Sequence, residues 1–482
     1  MFGCVALTAR LARRWQVLLV TAVAVFMSFL DVTIVNIAFP DIHASFPGTS
    51  LGHLSWILNA YSIVFAAALV PAGRLADRFG RRRFFFLGLF VFLAASVVCG
   101  AAASVDMLVA ARSVQALGGA MLVPASLGLL LPEFPLEQRA TATALWGANG
   151  AVAAAAGPSL GGLLVDWQGW RAVFFVNLLI GLPALLPARR LLRESREPQT
   201  VFPDALGAFL LAGGVGALAL GIVQGPPWGW TSARILGSFA ASFALLASFV
   251  WRSTRHRAPV IELSLFRVRS FAVANAASFV FSVGFFALLL CNVLFLTGVW
   301  HYSILRAGVA LTPGPLMAAF AAPIGGRLSD LFGQRVVAVP GSLLFGTGAL
   351  LFALETGVHP AYAADFLPAN MIGGFGIGLT FAGFGSAAVA ELPRNRYSTG
   401  GAINNCIRQI GAVLGISTLI VLLGTPTPET ALHLFHRAWA LTALTGAVAA
   451  VIGLALGRVR ARHVGEEQPA VGVPLAAVGR PQ

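Results

Sequence analysis

The sequence of 482 residues carries little charge and no lysine, its basic residues all being arginine. Charged residues make up 10% of it, against about 25% in an ordinary soluble protein. Hydrophobic residues make up 58%, and apolar runs recur at the length that a helix needs to cross a bilayer. These features exclude a soluble globular class and predict a polytopic helical membrane protein. Without lysine, the chain has no ATP-binding loop of the G-x-x-x-x-G-K type.

Cysteine is also scarce. Cys4, Cys99, Cys291 and Cys406 are scattered along the chain, three of them in apolar runs. Their spacing matches neither a disulfide framework nor a metal site, so we interpret them as small buried hydrophobic residues. We expect no metal and no organic cofactor.

Fourteen apolar runs are long enough to span a membrane as helices. The first, which begins at Val17, is too long for a signal peptide and is expected to remain as a helix. The predicted spans lie near 17–39, 53–72, 84–103, 107–130, 140–164, 171–188, 204–223, 232–251, 271–297, 307–325, 336–354, 364–390, 400–423 and 438–457.

The arginines are distributed unevenly between the loops. If the N-terminus is cytoplasmic, 26 of the 32 lie in cytoplasmic loops or tails, four lie outside, and Arg112 and Arg408 lie within spans. This asymmetry follows the positive-inside rule. It therefore accounts for the net charge of +14 without nucleic acid as a partner. We predict a multi-pass protein of the cytoplasmic (inner or plasma) membrane with both termini in the cytoplasm.

A short phrase occurs twice. Gly73 to Arg83 reads G-R-L-A-D-R-F-G-R-R-R, and Gly326 to Arg335, 253 positions later, reads G-R-L-S-D-L-F-G-Q-R. Each copy follows the second span of a group of six, which predicts two related six-helix halves. The predicted units are an N-terminal half at 1–198, an inserted helix pair at 199–257, a C-terminal half at 258–463 and a disordered cytoplasmic tail at 464–482.

Both copies join two spans by a tight turn that contains glycine, arginine and an aspartate. A carboxylate near a helix end accepts charge-assisted hydrogen bonds from guanidinium or backbone N–H groups. We therefore predict a conformational latch, against the alternative of a basic turn that only fixes orientation. Its candidate residues are Gly73, Asp77, Arg78, Gly80, Arg81, Asp330 and Arg335.

Span 1 contains an acid, Asp31, in the phrase L-D-V-T-I-V-N-I-A-F-P. It lies about 12 Å from the outer end at 1.5 Å per residue, and an acid at such depth is functional by default. Burial favours the neutral carboxyl group, so we predict that Asp31 loads and releases a proton. The alternative is a structural Asp31 that neighbours such as Thr33 or Asn36 satisfy.

Arg112 lies at a similar depth in span 4 and is always charged. We predict that Asp31 and Arg112 are coupled, directly or through water and Gln115, so that protonation of Asp31 frees Arg112. A static structural pair is the alternative.

Two further spans carry patterns of interest. Span 5 contains Gly157, Pro158, Gly161 and Gly162, small and helix-bending residues that predict a close helix seam with a hinge role. Span 13 carries polar residues spaced three and four apart, so they share one helix face. We expect that face to line a central cavity, although a structural network is equally compatible. The candidate cavity residues are Asn36, Asn59, Tyr61, Gln115, Asn149, Asn404, Asn405, Arg408 and Gln409.

With these motifs in place, nearly the whole chain resembles the fourteen-helix drug:proton antiporter family of the major facilitator superfamily. The resemblance rests on the Gly73 loop, the Asp31 phrase and A-G-P-S-L-G-G in span 5. W-Q-G-W-R-A-V-F-F-V-N and N-N-C-I-R-Q-I-G also match this family's phrases. It implies that Asp31 couples the proton, that Arg112 is its partner and that Asp77 belongs to the latch.

The chain departs from the family pattern at three points. Ala116 replaces the glycine that usually follows the glutamine of span 4, and Gln334 makes the second loop less charged. No second acid lies deep in a span, which makes monocationic, neutral or anionic substrates at least as compatible as dications.

The favoured function is export of small hydrophobic compounds, such as drugs or antibiotics, in exchange for protons, with the chain in the lipid bilayer as a monomer. A dedicated exporter of one metabolite, lipid or siderophore is the alternative. Uptake by symport is disfavoured because the span 5 seam resembles the antiporter version. A polytopic membrane enzyme would need converging acids, histidines or metal ligands, whereas the outer-loop acids are scattered singly. A sensor is disfavoured because there is no signalling domain.

Overall fold

A computed structural model describes residues 12–135, 138–197, 201–393 and 396–457, and no strand occurs among them. Fourteen helices are long and apolar enough to cross a membrane, and each predicted span overlaps one of them. In order they are α1 Arg13–Ser45, α2 Leu51–Phe79, α3 Arg81–Gly100, α4 Val105–Leu130, α5 Arg139–Gln168, α6 Ala172–Leu191, α7 Ala205–Val223, α8 Ala233–Arg255, α9 Arg269–Gly298, α10 Ile304–Phe332, α11 Arg335–Glu355, α12 Tyr362–Ala390, α13 Tyr397–Leu423 and α14 Ala431–Leu454.

Several helices extend beyond the predicted spans or are interrupted. Helix α1 begins four residues before the predicted span and continues past Pro40. Helix α10 consists of two segments, Ile304–Leu311 and Pro313–Phe332. The break follows from Pro313, which has no backbone N–H to continue the hydrogen-bond ladder. Helix α12 opens with a π-helical turn, Tyr362–Phe366.

Contacts between loops show which helix ends share a side. On the side where α1 begins, here called the terminal side, Arg13 Nη2 lies 3.2 Å from Glu133 Oε1. On the opposite side, the far side, His53 Nε2 lies 2.8 Å from Asp106 Oδ1. Both contacts fit helices that alternate in direction, as the predicted number of spans requires.

The two halves use the same packing plan. Within the first, α1 packs on α5, α2 on α4 and α3 on α4. Within the second, α9 packs on α13, α10 on α12 and α11 on α12. Adding eight to each helix number thus converts one set into the other, which confirms the predicted fold class of two six-helix halves plus two inserted helices. The predicted disordered tail lies outside the described residues, and the unit boundaries stay predictions.

The halves meet along two seams, α2 with α13 and α5 with α10. The inserted helix α7 covers the first seam, since it packs on both α2 and α13. Asp204 anchors the inserted pair. Its Oδ1 accepts hydrogen bonds from the Gly207 backbone N–H at 2.8 Å and from Arg252 Nε at 2.7 Å.

The second seam is tight on the far side and open on the terminal side. A Cβ atom at Gly162 of α5 would lie 2.9 Å from the carbonyl oxygen of Ile304 in α10. Nearer the terminal side, a Cβ atom at Gly147 of α5 or Gly326 of α10 would meet nothing within 4 Å. The two helices therefore diverge from the far side toward the terminal side.

Candidate functional site

Asp31 and Arg112 meet inside the first half, where their side chains are 0% and 1% exposed. Arg112 Nη1, on α4, donates a hydrogen bond to Asp31 Oδ2, on α1. Gln115 closes the arrangement. Its Nε2 donates to Asp31 Oδ1 at 2.8 Å, and its Oε1 accepts from Arg112 Nη1 at 2.7 Å. Asp31, Arg112 and Gln115 thus form one buried network, in which the acid and the arginine are in direct contact.

Two other residues complete this network and were missed from the sequence. Asn177 Nδ2 of α6 donates to Asp31 Oδ1 at 3.2 Å and to Ser96 Oγ of α3 at 3.3 Å. Gln115 Nε2 also donates to Ser96 Oγ, at 2.9 Å. Asn177 ends the phrase W-Q-G-W-R-A-V-F-F-V-N, and a polar residue within an otherwise apolar span was the available signal.

The expected alternative partners of Asp31 do not reach it. Thr33 Oγ1 donates to the backbone oxygens of Phe29 and Leu30, and Asn36 Nδ2 donates to the Val32 oxygen. Both side chains satisfy the backbone of their own helix instead. Asp31 is therefore held by α4 and α6.

Arg112 also makes contacts that are independent of Asp31. Its Nε donates to the Ile57 backbone oxygen at 3.3 Å, and its guanidinium carbon lies 4.1 Å from the centre of the Tyr61 ring. A small cavity adjoins this point, lined by Val32, Asn36, Leu58, Tyr61, Ser62, Arg112, Phe286 and Ile416. These contacts can retain Arg112 when the charge on Asp31 changes.

The position of the second half that matches Asp31 carries no carboxylate. Gly284 stands 253 residues after Asp31, the offset that separates the two repeated loops. Two α12 donors reach α10: Asn370 Nδ2 lies 3.1 Å from the Leu311 oxygen and 3.3 Å from the Ala310 oxygen, and Tyr362 OH donates to the Ala310 oxygen at 3.1 Å. Ala310 in turn stands 253 residues after Ile57. The neutral Asn370 thus makes a contact like that of Arg112, and the acid–base pair belongs to the first half.

The glycines of span 5 lie against α1 and α10. A Cβ atom at Gly157 would collide with Thr33, and one at Gly161 would lie 2.7 Å from Ile34 Cγ1. Across the halves, Gly308 of α10 lies against the Pro158 backbone oxygen. The predicted seam therefore touches both the α1 turn that follows Asp31 and the opposite half.

The first repeated loop is clasped by the segment that follows α6. Arg81 Nε donates to Asp77 Oδ1 at 2.7 Å, and Arg81 Nη2 donates to Glu197 Oε1 at 2.7 Å. The Glu194 carboxylate accepts from the backbone N–H groups of Arg82 and Arg83 at 3.0 and 3.3 Å. Glu194 and Glu197 were missed from the sequence, because their connection to the loop depends on how α6 ends.

Glycine is required at the centre of this loop. Gly80 has φ +121°, and a Cβ atom there would lie 2.7 Å from the Glu194 carboxylate. Gly73 packs on Pro124, and the Arg78 guanidinium lies 5.3 Å from the centre of the Phe202 ring. Among the described residues, the second loop makes no comparable clasp. Asp330 and Arg335 are exposed, and neither forms an ion pair there.

The other candidate cavity residues occupy different environments. Asn59 Nδ2 donates to Ser417 Oγ at 3.1 Å and so bridges α2 and α13. Asn404 Nδ2 donates to Asn275 Oδ1 and Ser278 Oγ of α9, at 3.1 and 3.2 Å. Asn149 donates to its own helix, at the Leu145 oxygen. Asn405, Arg408 and Gln409 of α13 are partly buried.

Comparison with known proteins gives the family. The model of the Major Facilitator Superfamily matches residues 21–416. The chain belongs to this superfamily. A solved structure of a variant of the peptide transporter POT in complex with sulfate superposes with a TM-score of 0.64 and 17% identity. The match covers 93% of this chain and 95% of that one, and it shows the shared fold.

Curated relatives of this superfamily member bear names of resistance and export proteins. The multidrug resistance protein Stp of Mycobacterium tuberculosis is 33% identical over 403 residues, which cover 83% of this chain and 74% of Stp. The tetracenomycin C resistance and export protein of Streptomyces glaucescens is 34% identical over 86% of this chain and 76% of its own length. The methylenomycin A resistance protein of Bacillus subtilis is 34% identical, with shares of 83% and 86%.

Proposed function

We propose that the protein is a proton-coupled antiporter that exports small hydrophobic compounds across the cytoplasmic membrane. The observation that carries this proposal is the buried Asp31–Arg112 pair, an acid and a base held together inside a membrane-spanning half. Charged side chains inside membrane-spanning helices are costly, and in transporters they mark proton or substrate pathways. The resistance and export names of the relatives support the same direction of transport.

The network offers a physical route from a proton to a movement. The charged Asp31 accepts hydrogen bonds from Arg112, Gln115 and Asn177, which join α1 to α4 and α6. A proton that enters from outside neutralises Asp31 and weakens its hold on Arg112. The α1 helix then shifts more freely against α4. Since α1 also contacts the span 5 seam, that shift reaches the interface between the halves.

The seams supply the elements for alternating access. The close α5–α10 contact seals the far side, while the same helices diverge on the terminal side. With the arginine-rich terminal side in the cytoplasm, this arrangement faces inward and receives substrate from the cell. Both halves and both seams belong to one chain, which supports a functional monomer in the bilayer.

Proton flux in liposomes tests the proposal. The protein is reconstituted with a trapped pH-sensitive dye, and a panel of cationic, neutral and anionic hydrophobic compounds is added. We expect substrate-dependent proton flux with the native chain and none with Asp31→Asn, because the amide cannot exchange a proton. Asp106→Asn is the matched control, since Asp106 is an exposed acid on the helix that carries Arg112. Flux that survives in Asp31→Asn would contradict proton coupling at this residue.

The same panel addresses the alternative of a dedicated exporter. Flux with several unrelated compounds would support multidrug export. Flux with one compound that vanishes in Asp31→Asn would support a dedicated exporter with the same coupling site.

A further inference from the structure

Arg408 is a membrane-embedded cation that has no anionic partner in the described part of the chain. It lies on α13, where its Nε is buried without a hydrogen-bond acceptor, and no ion pair there includes it. Its guanidinium carbon lies 4.2 Å from the centre of the Phe381 ring. Asp31, the deep acid, is already engaged by Arg112. A buried guanidinium remains charged. Arg408 therefore carries a positive charge that no acid of the described residues neutralises.

Aromatic rings and a second unpartnered polar atom surround this charge. The rings of Phe281 and Phe285 on α9 each lie 5.2 Å from that of Phe381 on α12, in edge-to-face contact. Gln409 follows Arg408, and its buried Oε1 has no hydrogen-bond donor. The site thus combines a free cation, a free acceptor and aromatic faces.

This cluster connects to the centre of the molecule. The ring of Phe285 lies 5.0 Å from that of Phe286, which lines the small cavity beside Arg112. Toward the terminal side, Gly385 follows Phe381 by four residues and Gly401 precedes Arg408 by seven, positions that share a helix face. A Cβ atom at either glycine would meet nothing within 4 Å. The Arg408 site therefore lies between the central cavity and open space on the terminal side.

We propose that Arg408, Gln409 and the Phe285–Phe381 pair form a substrate subsite for planar aromatic compounds that carry an acidic oxygen, such as a carboxylate or an ionised phenol. Guanidinium binds such an oxygen through charge-assisted hydrogen bonds, the phenylalanine rings stack on the planar scaffold, and the Gln409 carbonyl accepts from a hydroxyl group. The proposal rests on the proposed export function, and it specifies which substrates that function selects.

Three anthraquinones that differ in one substituent test the subsite. Anthraquinone-2-carboxylate, its carboxamide and 2-(aminomethyl)anthraquinone share a planar scaffold and are anionic, neutral and cationic. Their equilibrium binding to the purified protein in nanodiscs is measured without a proton gradient, so the result is readable even if proton coupling fails. We expect the native chain to bind the carboxylate about tenfold more tightly than the carboxamide, as one charge-assisted hydrogen bond provides.

Variants then show which residues cause the preference for the carboxylate. In Arg408→Gln the carboxylate should lose that tenfold advantage while carboxamide binding is unchanged, and Arg408→Lys should retain part of it. Phe381→Leu should weaken all three compounds. Arg437→Gln is the matched control, because Arg437 is an exposed arginine on α14. Equal binding of carboxylate and carboxamide by the native chain would overturn the proposal, as would a preference that persists in Arg408→Gln.

Discussion

At the scale of single residues, the molecule places its fully buried ion pair in the first half. Asp31 and Arg112 form a fully buried pair whose remaining hydrogen-bond sites are largely occupied by Gln115, Asn177 and the Ile57 backbone. Such a pair costs desolvation energy when it forms, and breaking it by removing one partner costs more. We therefore expect the pair to remain together until one member changes charge.

A double-mutant comparison tests this energetic coupling. Arg112→Gln leaves Asp31 without its counter-charge, and we expect it to lower stability by about 3–5 kcal/mol, the usual cost of an orphaned buried charge. The double variant Asp31→Asn, Arg112→Gln lacks both charges of the pair and should recover most of that loss. Thermal unfolding of the purified proteins measures both. A double variant no more stable than Arg112→Gln alone would show that the two residues do not depend on each other.

The sequence predicted the acid, the arginine and Gln115, because charged or amide side chains within apolar spans stand out by composition. It did not indicate Ser96 or Asn177 as partners. Serine is common in membrane helices, and its role depends on how α3 and α6 rotate about their axes when they pack. Likewise, Thr33 and Asn36 are the nearest polar neighbours of Asp31 in sequence, yet they bond to their own helix.

At the scale of helices, function depends on how closely backbones approach. Gly162 allows α5 to lie against the backbone of α10, so the far side is closed by contact between main chains. Overpacking at such a point costs about 1–3 kcal/mol, since a backbone cannot move aside as a flexible side chain does. We therefore expect the tightness of this seam to affect how easily the far side closes.

Two glycines on the same helix give a matched test of the seam. Gly162→Ala places a methyl group 2.9 Å from the Ile304 oxygen and the Leu305 Cα atom. We expect it to oppose far-side closure and to lower the liposome transport rate by about tenfold, which corresponds to 1.4 kcal/mol. Gly147→Ala meets nothing within 4 Å and should transport at the native rate. An equal loss in both variants would point to helix propensity instead of the seam.

The sequence predicted the glycine seam and the repeated loops, but not their asymmetry. Both loops contain an aspartate and arginines, yet within the described ranges only the first lies beside acidic residues, Glu194 and Glu197, which follow α6. By the same packing plan the corresponding segment follows α14, where the described residues Ala455, Leu456 and Gly457 contain no acid. A repeat in the sequence thus predicts where a loop lies, whereas its partners depend on the rest of the half.

At the scale of the whole molecule, the number of helices decides which loops share a side of the membrane, and the arginines must then fall mainly on one of those sides. The fourteen helices of the described residues place the start of α1 and the end of α14 on one side. The loop contacts made at the ends of α1, α2 and α4 fit this alternation. The six-helix repeat and its inserted pair follow from spacing in the sequence. The direction in which the halves open does not, because it depends on which ends of α5 and α10 touch.

Orientation in the membrane is the last prediction, and cysteine labelling measures it. The four native cysteines are replaced, and a single cysteine is then introduced at one of two exposed positions. His359→Cys lies in an arginine-free loop on the far side, and Arg196→Cys lies in an arginine-rich segment on the terminal side. Because arginines are retained in the cytoplasm during insertion, a membrane-impermeant maleimide should label His359→Cys in intact cells. It should label Arg196→Cys only after permeabilisation. The reverse pattern would place both termini outside, and the open terminal side would then face away from the cytoplasm.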